Sequence, residues 1–117
     1  MKKILLYVLA FSLFTGISFV SASDEAVLKD HLKYLNDITE ISWVEFNDNN
    51  VYIGFNSKPS DLRMIINGAA LKGNRAIERG VHVWATAADQ RGWRPGKGPY
   101  YCSATARGGR VKKSDCR

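Results

Sequence analysis

The sequence predicts a small α+β domain: a mainly antiparallel sheet covered on one face by two helices, with a C-terminal hairpin clamped by a disulfide. Three observations carry this. Ser60–Ala87 reads as an amphipathic helix, a glycine stop and an alternating strand. Apolar segments with strand-like residue types flank it on both sides. Two cysteines, Cys102 and Cys116, lie symmetrically about Gly109.

In the central stretch Leu62, Ile65, Ile66, Ala69, Ala70, Gly73, Ala76 and Ile77 recur at three- and four-residue steps, which places them on one helix face. Arg63, Asn67, Lys72, Asn74, Arg75, Glu78 and Arg79 take the other face. Ser60 is the expected N-cap and Gly80 the left-handed stop. Ala69, Gly73 and Ala76 form a small-residue seam for close approach to a sheet. Glycine within a helix costs roughly 1 kcal/mol relative to alanine, so Gly68 and Gly73 are both expected to have a packing reason. Val81–Ala87 then alternates, with Val81, Val83, Ala85 and Ala87 on one face and His82, Trp84 and Thr86 on the other.

The chain opens with Lys2, Lys3, a 17-residue apolar run from Ile4 to Val20, and small residues at Ser21-Ala22. This pattern is that of a secretory signal peptide cleaved after Ala22. The remaining 95 residues, Ser23–Arg117, fit a single domain with a modest core, burying roughly 60–65% of its unfolded surface. A bacterial periplasm, or full secretion, is the expected location. Two cysteines in an exported chain pair by default. Two Cys and two separated His are too few for a metal site, and there is no Cys-x-x-Cys for redox work.

From the mature N-terminus, Ser23 caps a first helix with Asp24 and Glu25 in its first turn and Val27, Leu28, Leu32 and Leu35 as its stripe, ending near Asn36. Ile38–Phe46 and Val51–Phe55 read as strands joined by the turn residues Asn47-Asp48-Asn49-Asn50. Setting Phe46 against Val51 puts Val44 opposite Ile53 and Ser42 opposite Phe55, and on the outer face sets Trp43 across Gly54, whose bare backbone the indole can cover. Ala88–Pro99 is an irregular loop rich in Gly, Pro, Arg and Lys. Tyr100–Ala106 is a further strand, followed by a hairpin with a three-residue loop, Gly108-Gly109-Arg110. The order is helix, two strands, helix, three strands.

Charge is uneven. Ser23–Gln90 holds seven Lys/Arg against ten Asp/Glu, whereas Arg91–Arg117 holds eight against Asp115 alone. The basic character belongs to the C-terminal third. Cations beside aromatic rings suit an anionic polymer, a glycolipid or the hot spot of a protein interface. The candidate binding residues are therefore Arg91, Trp93, Arg94, Lys97, Tyr100, Arg107, Arg110, Lys112 and Lys113, with Trp93 as apolar anchor and Cys102–Cys116 as brace. The expected function is a non-enzymatic binding module for an envelope or secreted partner protein or an anionic polymer. The alternative is a small nuclease-like hydrolase using His82, with His31 and nearby cations.

Ser103 and Thr105 have no nucleophile-elbow context, and Asp24, Glu25, Asp48 and Asp61 sit where helix caps and turns explain them. Gly96 and Gly98 open no helix and precede Pro99, so no phosphate loop and no cofactor are expected.

Overall fold

The computed structural model describes residues 23–117; the signal-peptide reading of residues 1–22 lies outside the described residues. Helix α1 spans Asp24–His31, a 3₁₀ turn Lys33–Asp37, strands β1 Ile41–Asn47 and β2 Asn50–Phe55, and helix α2 Leu62–Ile77. Strand β3 is Val81–Ala87, a short 3₁₀ turn covers Ala88–Gln90, and β4 Cys102–Arg107 and β5 Arg110–Ser114 close the chain. All five strands form one sheet in the order β1-β2-β3-β4-β5. Every pair is antiparallel except β2–β3, which α2 joins as a parallel crossover. The α+β architecture expected from the sequence is the one observed.

Both helices lie on one face, where Leu28, Leu32, Leu35, Val51, Ile53, Phe55, Ile66, Val81 and Val83 form the fully buried core. Each such side chain contributes roughly 1.5–3 kcal/mol. Gly73 is the close-approach point of the seam: a Cβ there would stand 2.9 Å from Leu28 Cδ2 and 3.2 Å from Val81 Cγ1, between α1 and β3. Gly68 differs from expectation, for a Cβ there would meet nothing within 4 Å. It lies on the solvent side of α2.

Several boundaries shift for physical reasons. The N-cap of α2 is Asp61, one residue past Ser60, and makes no side-chain capping bond. Its C-cap is Glu78 in the left-handed region (φ 58°), two residues before Gly80. The early stop lets buried Asn74 serve two backbones: its Nδ2 donates to Arg79 O (2.6 Å) and its Oδ1 accepts from Gly109 N (2.8 Å). Asn74 thus leaves the polar face assigned to it and pins the β4–β5 turn to α2. Arg79 turns back to Asp24 Oδ2 (2.6 Å) and to both Asp48 oxygens (3.2 Å each), joining α1, the β1–β2 turn and the end of α2.

The β1–β2 register matches the expected one at Phe46–Val51, Val44–Ile53 and Trp43–Gly54, but a bulge at Ser42 puts Ile41 opposite Phe55. The bulge keeps apolar Ile41 inside and leaves Ser42 exposed. In the last hairpin Arg107 pairs with Arg110, so the turn is the two residues Gly108-Gly109, both at positive φ (64° and 83°), not three residues. A bulge between Thr105 and Ala106 then restores the spacing that brings Cys102 to Cys116, whose Cα atoms are 4.9 Å apart in the disulfide.

On the outer face a Cβ at Gly54 would overlap Trp43 Cε2 and Nε1. Gly54→Ala should therefore destabilise the protein by about 1–3 kcal/mol through overpacking, while Gly68→Ala should stabilise it by about 0.5–1 kcal/mol. Urea unfolding of the two variants checks both signs. Reduction of the disulfide should remove roughly 3 kcal/mol, lowering the melting temperature by more than ten degrees in a domain this small.

Candidate functional site

The face of the sheet away from the helices carries Trp43, Tyr52 and Trp84 on β1, β2 and β3, too much aromatic surface for an open sheet. The loop after β3 folds back over it. Trp93 is 5% exposed and packs among Trp84, Tyr100 and Tyr52, with ring centroids at 5.5, 5.4 and 6.3 Å. Its Nε1 donates to Gly98 O within the loop (3.1 Å). The Trp43 indole donates to Ala88 O (2.8 Å), fixing the start of the loop.

Arg91 lies over the Trp43 ring and donates from Nε to Glu45 Oε2 (3.1 Å). Arg94 lies 4.4 Å from the Tyr52 ring centroid and donates to Trp93 O, with its guanidinium 3.9 Å from Glu45 Oε1. That last distance is an ion pair, too long for a hydrogen bond. Of the residues expected to bind a partner, Trp93, Arg91 and Arg94 thus form a lid fastened to β1 and β2. Trp93 is turned inward and does not present its ring to a partner in this arrangement. Lys97 is exposed at the lid's tip.

Beyond the lid the face stays open as a groove of about 460 Å³. Two rows of outward side chains cross it. One runs Trp84, Ser103 and Asp115, where Ser103 is the register partner of Trp84 and its N–H donates to Asp115 Oδ1 (2.6 Å). The other runs His82, Thr105 and Lys113, consecutive register partners on β3, β4 and β5. His82 Nδ1 lies 2.8 Å from Thr105 Oγ1. Tyr100 walls the lid side, donating its hydroxyl to Asp115 Oδ2 (3.2 Å) and meeting Trp84 edge to face at 5.5 Å. Trp84 Nε1 is buried with no hydrogen-bond partner among the described residues.

Burial, then the charges of Arg107 and Lys113, hold the His82 imidazole below its ordinary range, so it is neutral at pH 7. Arg107, Arg110, Lys112 and Lys113 are all exposed on the hairpin. Of the expected binding residues, Tyr100 and Lys113 line the groove and Arg107 acts on His82 by its charge, with Arg110 and Lys112 elsewhere on the hairpin, while Arg91, Trp93 and Arg94 belong to the lid over β1 and β2. His31 sits on α1, on the helix-covered side, apart from His82. Ser103, Thr105 and Asp115 are site residues that sequence reasoning passed over. For Ser103 and Thr105 the signal was the β4 alternation, with Cys102, Ala104 and Ala106 inward and these two outward, once β4 is known to lie beside β3; Asp115, just past β5, had no such signal.

No protein family, curated protein or solved structure matches the chain. The site has to be read from its chemistry.

Trp93→Ala should cost about 3–5 kcal/mol, the loss of a buried aromatic side chain, and Glu45→Gln should loosen the lid, seen as faster hydrogen exchange in residues 91–99. The folded state binds a proton at His82 less readily than the unfolded chain. The stability tied to this group is therefore complete above the ordinary His value of 6.5 and declines as pH falls through it toward the lower folded value. Melting temperatures should drop between pH 7 and pH 5, and His82→Gln should flatten that decline.

Proposed function

We propose that the protein is an exported, non-enzymatic binding module that holds an anionic polymer against the open half of its sheet and the adjoining basic hairpin. The observation that carries this reading is the groove itself. It sets Lys113 and His82 in one row, with Arg107 close enough to perturb His82, beside a wall made by Trp84 and Tyr100. Cations recruit oxyanions, and aromatic edges and faces hold rings; together they suit a charged chain of cyclic units.

Export rests on the signal-like first 22 residues and on the disulfide, which belongs to an oxidising compartment. Among the described residues no helix is long and apolar enough to cross a membrane, which is compatible with that location. Cleavage after Ala22 would place Ser23 at the mature N-terminus, where its hydroxyl accepts from Ala26 N (3.1 Å) and caps α1. A protein partner is the less favoured occupant, because the aromatic anchor such an interface needs is folded under the lid. The hydrolase reading is less favoured: His31 lies on α1, on the other side of the sheet, and among the described residues the side-chain partner of His82 is the Thr105 hydroxyl, with no carboxylate hydrogen-bonded to the imidazole.

Three measurements test the reading. Binding to an immobilised sulfated polymer should weaken steeply as salt rises, and Arg107→Ala with Lys113→Ala should reduce both the affinity and the salt slope. A contact that survives high salt and needs neither cation would instead identify a protein partner and overturn the proposal. The exported protein's mass should correspond to Ser23–Arg117.

A further inference from the structure

The groove distinguishes among anionic polymers. Its two rows have different chemistries, separated along the strands by two residues, about 7 Å. The His82–Thr105–Lys113 row offers donors and positive charge. The Trp84–Ser103–Asp115 row ends in a carboxylate, and each Asp115 oxygen accepts one hydrogen bond from Tyr100 or Ser103, which leaves acceptor capacity for further donors. A carboxylate in the wall repels a continuous phosphate backbone but accepts from hydroxyl groups.

The aromatic pair also matters. Trp84 and Tyr100 stand at 79° to each other, forming a corner and not the parallel slot that a flat base would fill. A ligand carrying both hydroxyl donors and an oxyanion on a non-planar ring matches both rows.

We propose, building on the anionic-polymer reading above, that the groove is a subsite for an acidic sugar: the ring packs in the Trp84–Tyr100 corner with hydroxyls toward Asp115, its sulfate or carboxylate lies against the His82–Lys113 row, and binding tightens as His82 takes up a proton.

The surroundings of His82 define the proton effect. Thr105 and Arg107 face it from β4 and Lys113 from β5; Asn50, its register partner on β2, is uncharged, and Asp115 lies in the neighbouring row. Without ligand, burial first and then the two cations oppose protonation. An oxyanion seated beside Lys113 offsets them and stabilises the imidazolium, so uptake of a proton and of the anion reinforce each other. Thr105 Oγ1 engages Nδ1 and leaves Nε2 to the ligand.

Calorimetric titration with a sulfated oligosaccharide tests the proposal, since its charge does not change between pH 7.5 and pH 5.5. Oligogalacturonate serves as the carboxylate arm and single-stranded DNA of equal charge as the nucleic-acid arm. The sulfated or the carboxylated sugar should bind more tightly than DNA, and the sulfated one about 5-fold more tightly at pH 5.5 than at pH 7.5, the effect of one added charge near an oxyanion. His82→Gln, polar but unable to take up a proton, should abolish the gain, whereas His31→Gln should retain it. Asp115→Asn removes the fixed charge and should narrow the preference for sugar over DNA. Thermal melts establish that each variant is folded at both pH values. Equal or tighter binding of DNA, or a pH gain that survives His82→Gln, overturns the acidic-sugar subsite while the anionic-polymer reading stands. Failure of all three polymers to bind at low salt overturns both.

Discussion

A five-stranded sheet with helices on one face only must solve the problem of its other face. Here that face bears Trp43, Tyr52 and Trp84, and one loop covers them by inserting Trp93 among Tyr52, Trp84 and Tyr100. Burial of the indole supplies most of the drive. Arg91 and Arg94 then extend along the aromatic surface and converge on Glu45, a carboxylate on the edge strand. The loop's prolines and glycines now have a use: Gly92, Gly96 and Gly98 all take positive φ as the backbone turns back on itself around the ring. Without this cover the outer face would be an aromatic patch of the kind that drives association.

The helix-side core depends less on any one residue, but its corners are tied by polar groups. Asn74 holds the tip of the last hairpin to α2, and Arg79 gathers Asp24 and Asp48 from the first helix and first turn. The guanidinium keeps the Asp48 carboxyl below its ordinary range even at the surface, while its positive φ of 55° makes the tight turn. An exposed ion pair contributes little on its own. Its role is positional, since three elements distant in sequence meet at one side chain.

Strand alternation was legible where a strand turns an apolar face to the helix-side core: the register Val44–Ile53, the inward set Val81, Val83 and Ala85, and the cover of Gly54 by Trp43 all follow from period two. The disulfide followed from the count of two cysteines and the export expected from the first 22 residues. Places where a local rule met a tertiary contact were not legible. Asn74 sits on a nominally polar face and is buried because a turn from far along the chain lies over it. Gly80 would serve as a helix stop, yet Glu78 adopts the left-handed conformation, two residues short of it. The site suffered most from this limit. Trp93 looks like an exposed anchor when its loop is read as a string, since nothing local says that aromatic residues from three strands await it, whereas Arg91 beside it stays exposed. The groove residues Ser103, Thr105 and Asp115 are unremarkable in sequence and acquire meaning only from the β3–β4–β5 pairing.

The lid ends where its anchors end. Glu45 and Tyr52 lie on β1 and β2, so the arginines draw the loop toward that side and leave β4 and β5 bare. The uncovered half is also the charged half, because an open strand face must be tolerated by water, and Lys113, Arg107 and the hydroxyls of Ser103 and Thr105 meet that requirement where aromatic residues could not. Tyr100 marks the border, half in the aromatic cluster and half in the groove, and its hydroxyl is held by Asp115, the neighbour of Cys116. The disulfide therefore does more than close a hairpin. By fixing the chain at Cys116 it fixes Asp115, and through Asp115 it sets both the wall of the groove and the position of the ring that separates groove from lid.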